Sequence, residues 1–265
     1  MKNQNVLVIS HRRSGTHLTI DSVRNNFKSL RMSPYVTLET LDQAHPDHLP
    51  VSEFRQAILE CPRVIKVHYL PDVSNYLTSE EARCAEDVFS QSKKIYVVRN
   101  GLDVLASLYE FRRGHDPQVG EMSFSQFIRE PSFDRKAGTF DKVTYWAHHV
   151  ESWLNAPGAD QMLVLRFEQW VNDYRATIKK VAQFFGLSKD WFGADVRMGS
   201  ASSMKNKKSK QIQRTWVEPR KGEIGDHVNY FTPDDLGYFR SHCADLMKEL
   251  GYSMDDGLPR ARLVK

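Results

Sequence analysis

Four short apolar segments, separated by stretches of helical periodicity, constrain the fold of this chain more than any other feature. Each is four or five residues long and consists mainly of aliphatic, often β-branched side chains. Runs of this kind are typical of strands buried on both faces, which requires helices on both sides of the sheet. The pattern therefore predicts an α/β fold in which a central parallel β-sheet is flanked by helices. The four segments are Val6–Ser10, Val64–Val67, Ile95–Val98 and Leu163–Phe167.

Helices are predicted where apolar residues recur every three or four positions. Pro157-Gly158 and Gly186 mark two predicted helix ends, and Thr232 is the predicted cap of a last helix. The stretch Arg112–Lys142 has little periodicity and is predicted to be irregular. The predicted helices are Leu18–Phe27, Leu102–Phe111, Tyr145–Asn155, Tyr174–Phe185 and a segment from Pro233 to Leu250.

Length and composition favour one soluble domain. With 265 residues, of which 40% are hydrophobic, the chain can bury a substantial core, and we expect a single domain over residues 1–265. The apolar run Val6–Ile9 is too short for a secretion signal or a membrane span, so we expect a cytoplasmic protein. Three cysteines, Cys61, Cys84 and Cys243, without C-x-x-C spacing indicate neither a disulfide framework nor a metal site.

The first predicted strand ends directly in a loop whose composition suits a phosphate. The loop reads S-H-R-R-S-G-T-H from Ser10 to His17, and a helix is predicted to follow at once. A helix N-terminus offers unpaired backbone N–H groups and a positive dipole to an anion. This P-loop-like segment lacks the pattern G-x-x-x-x-G-K-[ST], so hydrolysis of ATP or GTP is disfavoured. The candidate phosphate-binding residues are Arg12, Arg13, Ser14, Gly15, Thr16 and His17.

A second anion site is predicted after the third predicted strand. Arg99 lies at the end of that strand and Ser107 about two helical turns further on, and a guanidinium with a hydroxyl suits a phosphate monoester. The alternative is an arginine that pairs with Asp103. Seven lysines and arginines occur from Lys205 to Lys221. This run has three possible interpretations: a solvated loop, a nucleic-acid patch or a cover over an anionic small molecule. A net charge of +4 does not favour nucleic acid by itself.

These motifs resemble those of the sulfotransferases that use 3′-phosphoadenosine-5′-phosphosulfate (PAPS), especially the cytosolic type. Members carry [KR]-S-G-T-[TS], then R-N-x-x-D-x-x-x-S, and later R-K-G-x-x-G-D-W-x-x-x-F-T. This chain has R-S-G-T-H, R-N-G-L-D-V-L-A-S and R-K-G-E-I-G-D-H-V-N-Y-F-T, in the same order and with the same internal spacing. The resemblance extends from Val6 to about Gly251 and implies transfer of a sulfuryl group from PAPS to a hydroxyl or amine of a small molecule, leaving adenosine 3′,5′-bisphosphate.

The resemblance also implies catalytic roles. The segment Pro62–Pro71 resembles the family stretch that carries the catalytic histidine, which makes His68 the general base for in-line transfer. Lys66 and Arg13 are then the cations that stabilise the leaving phosphate. Lys66 and His68 are two residues apart on a predicted strand and so share one face. His17 is a rival base.

The resemblance assigns the two ends of the donor to different motifs. The loop from Arg12 to His17 is expected to hold the 5′-phosphosulfate. Phe167 lies where the family has an adenine-contacting tyrosine, and a core aromatic is the alternative. The residues expected to hold the 3′-phosphate end are Arg99, Ser107, Arg220, Lys221 and Gly222.

Some positions depart from the family pattern, and two other functions stay open. Arg13 replaces the lysine of cytosolic members. His227 and Val228 replace a tryptophan and a lysine. The family's dimer motif would begin at Val228 and is not matched, so no oligomeric state is predicted. The alternatives are a P-loop-type small-molecule kinase and a non-catalytic anion- or nucleic-acid-binding module. We expect a small-molecule acceptor, no nucleic acid, no membrane and no metal; Met32–His48 and Arg112–Lys142 are expected to select the acceptor.

Overall fold

The computed structural model describes residues 5–31, 34–60, 62–134, 138, 140–186 and 223–253. These residues form two compact units, each built from two separate parts of the chain. The first unit contains the described residues of Met1–Val98 and Ser152–Lys208. The second contains those of Arg99–Glu151 and Ser209–Lys265. A single domain over residues 1–265 stays a prediction.

The first unit is built around a five-stranded sheet in which every neighbouring pair of strands is parallel. Its strands are β1 (Val6–Ile9), β2 (Val36–Thr37), β3 (Val64–Val67), β4 (Lys93–Val98) and β5 (Met162–Arg166). Their spatial order is β2-β3-β1-β4-β5, so β1 is central. This confirms the predicted fold class and all four predicted strands. The two-residue β2 was not predicted, because it is too short to produce a periodic pattern.

Helices follow the strands in the order expected for this fold class. The described helices are α1 (Thr16–Asn26), α2 (Lys28–Arg31), α3 (Val51–Leu59), α4 (Ser79–Gln91), α5 (Gly101–Arg113), α6 (Pro117–Glu121), α7 (Phe124–Arg129), α8 (Lys142–Leu154), α9 (Phe167–Asn172), α10 (Tyr174–Phe185) and α11 (Pro233–Glu249). In the first unit, the core includes Val8 and Ile95 of the sheet together with Ile20 of α1 and Val181 of α10. Burial of these side chains fixes α1 and α10 to the sheet.

The five predicted helices are confirmed as α1, α5, α8, α10 and α11, with ends that move by at most a few residues. Gly186 ends α10 with a positive φ of 63°, and the Thr232 hydroxyl caps α11 by accepting the backbone N–H of Asp235. Helices α3 and α4 were not predicted, although the capping box of Thr78 and Glu81 marks the start of α4. Among the described residues, no helix is long and apolar enough to cross a membrane.

The second unit corrects one prediction. The stretch Arg112–Lys142, predicted to be irregular, contains α6 and α7, whose starts are capped by the side chains of Asp116 and Ser123. Each helix has only five or six residues, too few to show a helical period. A close contact fixes the start of α5, where a Cβ atom on Gly101 would lie 2.8 Å from both Trp146 and Phe239.

Candidate active site

The predicted phosphate loop connects the central strand β1 to α1 in the first unit. Two of its residues have left-handed backbone conformations, Arg13 with φ 70° and Gly15 with φ 97°. For a residue with a side chain this conformation costs about 1–2 kcal/mol, so the turn around Arg13 is held by its surroundings. The hydroxyls of Ser10 and Thr16 are hydrogen-bonded at 2.6 Å across the base of the loop. The loop therefore has a defined backbone at the N-terminus of α1, where anions bind.

Inside the loop, the side chain of Ser14 is buried, and its Oγ has no hydrogen-bond partner within the described parts of the chain. A buried hydroxyl without a partner costs free energy unless a ligand or water satisfies it. Ser14 therefore fits the expected role of binding a phosphate oxygen.

Gly15 and Phe167 are in close contact in the same unit. A Cβ atom on Gly15 would lie 2.5 Å from Cδ2 of the Phe167 ring, which leaves no room for a side chain at this position. Phe167 begins α9, and only 5% of its surface is exposed. The ring thus packs against the loop, in agreement with the core alternative, and its contact with adenine stays a prediction.

Lys66 and His68 lie at the end of β3, next to the loop. Lys66 is paired with Val8 of β1 and Thr37 of β2, and His68 follows the last residue of the strand. Nδ1 of His68 lies 2.7 Å from the carbonyl oxygen of Ser10. Because a carbonyl oxygen can only accept a hydrogen bond, Nδ1 carries the proton and donates a hydrogen bond to this oxygen.

The charge state of His68 follows from its surroundings. Burial, together with the positive charges of Arg12 and Lys66, holds the pKa of His68 well below its ordinary value. The ring is therefore neutral, with its proton on Nδ1 and its lone pair on Nε2. This is the protonation state that a general base requires.

Lys66 is a half-buried cation close to several other charges. Burial lowers its pKa, and Arg12 acts in the same direction, whereas the carboxylate of Glu39 raises it. His17 also contributes to the low pKa of His68. These groups form a cationic cluster that includes one buried carboxylate, an arrangement suited to an anionic ligand.

His17, the rival base, lies in the first turn of α1. Its Nε2 is 3.5 Å from the hydroxyl of Tyr35, and the two rings meet edge to face. Burial, with Asp21 as a smaller cause, raises the pKa of Tyr35, so this phenol stays protonated. His17 thus contacts one of the stretches expected to select the acceptor, and its share in catalysis stays a prediction.

In the second unit, Arg99 precedes α5, whose first turn is capped by the Asn100 side chain. Nη2 of Arg99 donates to the carbonyl oxygen of Glu223 at 2.9 Å and lies 3.9 Å from Oδ2 of Asp103. Ser107 is buried one turn after Asp103. Asp103 and Ser107 are four residues apart and therefore lie on one side of α5, and Arg99 directly precedes the capping residue Asn100. The alternative Arg99–Asp103 pair is therefore present, and the binding of a phosphate by Arg99 and Ser107 stays a prediction.

Asp103 anchors the segment that follows the R-K-G motif. Its buried carboxylate accepts hydrogen bonds from the backbone of Gly225 at 2.8 Å, from the backbone of His227 at 3.1 Å and from Nδ1 of His227 at 2.7 Å. Burial alone raises the pKa of Asp103, but these bonds and the charge of Arg99 outweigh it and hold the pKa below its ordinary value. Asp103 is therefore ionised and fixes residues 225–227 to α5.

Four residues of this arrangement were not named as site candidates from the sequence. Asp103 was considered only as the alternative partner of Arg99, and His227 only as a departure from the family pattern, although Asp103 lies between the candidates Arg99 and Ser107. Ser10 belongs to the predicted phosphate loop but was not itself a candidate, and Glu39 has no motif of its own. The structure places the candidates Arg12, Arg13, Ser14, Gly15, Thr16, His17, Lys66, His68 and Phe167 in the first unit and Arg99 and Ser107 in the second. Arg220, Lys221 and Gly222 lie outside the described residues.

Comparisons with known proteins identify the family of this chain. A family model described as the sulfotransferase domain matches residues 3–251. Sulfotransferase 1C2 of Oryctolagus cuniculus is 30% identical over 209 residues, which cover 72% of this chain and 64% of that protein. Sulfotransferase 1A1 of Mus musculus is 28% identical over 204 residues, which cover 70% and 63%. The matched region thus spans less than two thirds of the length of these relatives.

Solved structures show the same fold. Mouse sulfotransferase SULT7A1 complexed with PAP superimposes with a TM-score of 0.64 at 20% identity, covering 95% of this chain and 87% of that one. Retinol dehydratase in complex with androsterone and inactive cofactor PAP superimposes with a TM-score of 0.59 at 17% identity, covering 94% and 82%.

Proposed function

The chain belongs to the sulfotransferase domain family, and from this premise we propose that it transfers a sulfuryl group from PAPS to a hydroxyl or amine of a small molecule. The observation that carries the proposal is the pairing of a preformed phosphate loop with a neutral His68 whose lone pair is on Nε2. The relatives support the donor, since two solved structures of this fold are described as complexes with PAP. PAP, adenosine 3′,5′-bisphosphate, is PAPS without its sulfuryl group.

The first unit supplies the groups proposed to hold the 5′-phosphosulfate. The N-terminus of α1 offers backbone N–H groups, and the buried Ser14 hydroxyl, which has no partner among the described residues, could bind a phosphate oxygen. Arg12, Arg13 and Lys66 supply positive charge. As the bond between sulfur and the bridging oxygen breaks, negative charge develops on the phosphate, and cations fixed in advance stabilise that charge.

His68 is proposed to take the proton of the attacking acceptor on Nε2 while the new bond to sulfur forms. Its low pKa makes the isolated imidazole a weak base. A bound, highly anionic donor opposes the effect of Arg12 and Lys66 and so raises that pKa towards neutrality. General-base assistance of this kind is worth about 10²–10⁴-fold in rate.

The second unit supplies the groups proposed to hold the 3′-phosphate. Arg99 and Ser107 are both buried, and Arg99 is oriented by Glu223 and Asp103. A guanidinium held in this way loses less side-chain entropy when it binds an anion. The proposal extends to Arg220, Lys221 and Gly222, which directly precede the anchored segment in the sequence.

Binding of adenosine 3′,5′-bisphosphate, measured by calorimetry, tests the donor assignment. We expect the wild-type protein to bind it without a metal ion and more tightly than ATP with Mg²⁺, which also tests the kinase alternative. Arg99→Ala should weaken binding at least tenfold, since a charge-assisted phosphate contact is worth about 1.5–3 kcal/mol. Arg113→Ala is the matched control, because Arg113 is an exposed arginine at the end of α5, the helix that Arg99 precedes.

Turnover of labelled PAPS with a panel of acceptors tests the chemistry. We expect His68→Ala to lose at least 10²-fold in turnover while its affinity for adenosine 3′,5′-bisphosphate stays within about threefold of wild type. If wild-type protein does not bind this nucleotide, the proposed function is wrong. If His68→Ala turns over normally, the general-base role of His68 is wrong. The acceptor class is left to the panel, and the cytoplasmic location stays a prediction.

A further inference from the structure

We propose that Glu39 is a positioning residue that fixes the catalytic end of β3, where Lys66 and His68 lie. The catalytic part of this inference rests on the proposed function, whereas the contacts of Glu39 are present without PAPS. Glu39 lies in a short 3₁₀ helix, Leu38–Leu41, that directly follows β2. No motif marks this residue.

The first contact is a hydrogen bond to the catalytic segment. Oε1 of Glu39 accepts the backbone N–H of His68. Strand β2 ends at Thr37, which pairs with Lys66, and the chain then turns into the 3₁₀ helix. The carboxylate of Glu39 therefore takes the place of a strand carbonyl as acceptor for His68.

His68 is consequently held at two points by two different neighbours. Glu39 fixes its backbone, and the carbonyl of Ser10 fixes its ring through Nδ1 at 2.7 Å. Loss of the first contact frees the backbone of a residue whose Nε2 must be placed to within a fraction of an ångström for proton transfer. Glu39 thus acts through His68 and does not itself need to touch the acceptor.

The second contact is electrostatic. Only 4% of the surface of Glu39 is exposed, and Oε2 is buried without a hydrogen bond among the described residues. A buried carboxylate in this state needs a nearby positive charge. Arg12, Lys66 and His17 are the nearby positive groups that lower the pKa of His68. The charge of Glu39 raises the pKa of Lys66, which burial and Arg12 both lower. Glu39 thereby helps to keep Lys66 protonated at the leaving phosphate.

Two variants separate these effects. Glu39→Gln keeps an acceptor oxygen for His68 and loses the charge, whereas Glu39→Ala loses both. By hydrogen exchange, we expect the backbone N–H of His68 to exchange at least tenfold faster in Glu39→Ala and within about threefold of wild type in Glu39→Gln. By NMR titration of the lysine side chains, we expect a lower pKa for Lys66 in both variants than in wild type.

Kinetics connect these effects to catalysis. With labelled PAPS and pooled acceptors, we expect turnover to fall about tenfold in Glu39→Gln and further in Glu39→Ala, within the range of general-base assistance. The alkaline limb of the pH profile should move to lower pH in Glu39→Gln, because Lys66 loses its proton earlier. Affinity for adenosine 3′,5′-bisphosphate should stay within about threefold of wild type in both variants.

Glu81→Gln is the matched control. Glu81 is a buried glutamate of the same unit that accepts from Gln43 and from the backbone of Thr78. This variant should lose stability without moving the pKa of Lys66 or the pH profile. If Glu39→Ala does not fold, the Lys66 titration and the pH profile of Glu39→Gln decide the question.

The inference is overturned if the Lys66 titration and the pH profile of Glu39→Gln match those of wild type, or if the exchange rate of His68 is unchanged in a folded Glu39→Ala. Failure of the proposed function gives a different result. In that case wild-type protein does not bind adenosine 3′,5′-bisphosphate, while the His68 exchange rate and the Lys66 titration still report on Glu39.

Discussion

Replacement of Asp103 by alanine tests the anchor in the second unit most directly. Asp103 is 2% exposed and accepts three hydrogen bonds, two from His227 and one from Gly225. A hydrogen bond to a charged group contributes about 1.5–3 kcal/mol, and a buried donor left without its acceptor costs about 1–3 kcal/mol. The three bonds share one carboxylate, so their effects are not additive.

We therefore expect Asp103→Ala to lower the free energy of unfolding by about 3–5 kcal/mol, the range for breaking a buried charged pair. Equilibrium unfolding in urea, followed by circular dichroism, measures this loss. Hydrogen exchange should show that the backbone N–H groups of Gly225 and His227 lose their protection. Asp103→Asn, which keeps one acceptor oxygen, should lose less.

Glu110→Ala is the control, since Glu110 lies on the same helix and pairs at the surface with Arg113 at 3.2 Å. An exposed pair contributes about 0–1 kcal/mol, so this variant should stay within that range. Because the pKa of Asp103 is held below its ordinary value, its stabilisation is present above about pH 4 and is lost as the pH falls through the lowered pKa. If Asp103→Ala unfolds within 1 kcal/mol of wild type at pH 7, the anchor does not contribute as described.

Three further predictions concern the loop and one buried lysine. Gly15→Ala should abolish binding of adenosine 3′,5′-bisphosphate in calorimetry, because Gly15 has a φ of 97° and the added Cβ would clash with the Phe167 ring. Gly158→Ala is the control: Gly158 has a φ of 76° but open space around it, so this variant should lose only a little stability and bind normally. Arg13→Gly should relieve the strain of the left-handed backbone at this position. In urea unfolding, its free energy of unfolding should therefore be no more than about 1 kcal/mol below that of wild type, while nucleotide binding weakens. A fall of more than about 2 kcal/mol in the free energy of unfolding would contradict the strain. Burial lowers the pKa of Lys142 from 10.5 to about 8. Between these pH values the unfolded chain therefore binds more protons than the folded chain, so the stability measured by thermal unfolding should rise with pH across that window. If Lys142→Met shows a rise of equal size, Lys142 is not the source of the pH dependence.

The sequence predicts the sheet and nominates most of the candidate site because each depends on local signals. Strands β1, β3, β4 and β5 are apolar runs, and the candidate anion-binding residues lie where strands β1 and β4 end. Ligand-binding residues of α/β folds commonly follow the carboxyl ends of strands, so position in the sequence is enough to nominate them. The left-handed Arg13 could not be predicted, because arginine has no intrinsic preference for that conformation.

The parts that could not be predicted depend on contacts between residues far apart in the chain. Glu39 is separated from His68 by 29 positions, and their hydrogen bond depends on the early end of the two-residue β2, which has no sequence pattern of its own. His227 is 124 positions from Asp103. Helices α6 and α7 illustrate the opposite limit, since their caps are visible in the sequence but their few residues give no period.

The separation of Asp103 from its partners also affects how the second unit can fold during synthesis. Helix α5 is made 124 residues before His227, and Phe239, which packs at Gly101, comes later still. At about 5–20 residues per second, Asp103 waits roughly 6–25 s for its partners. During that time the carboxylate has Arg99 and water beside it but lacks its hydrogen bonds from Gly225 and His227, so the start of α5 cannot reach its final packing. The second unit therefore closes last, when α11 has been made, and long-range contacts of this kind are slow to form.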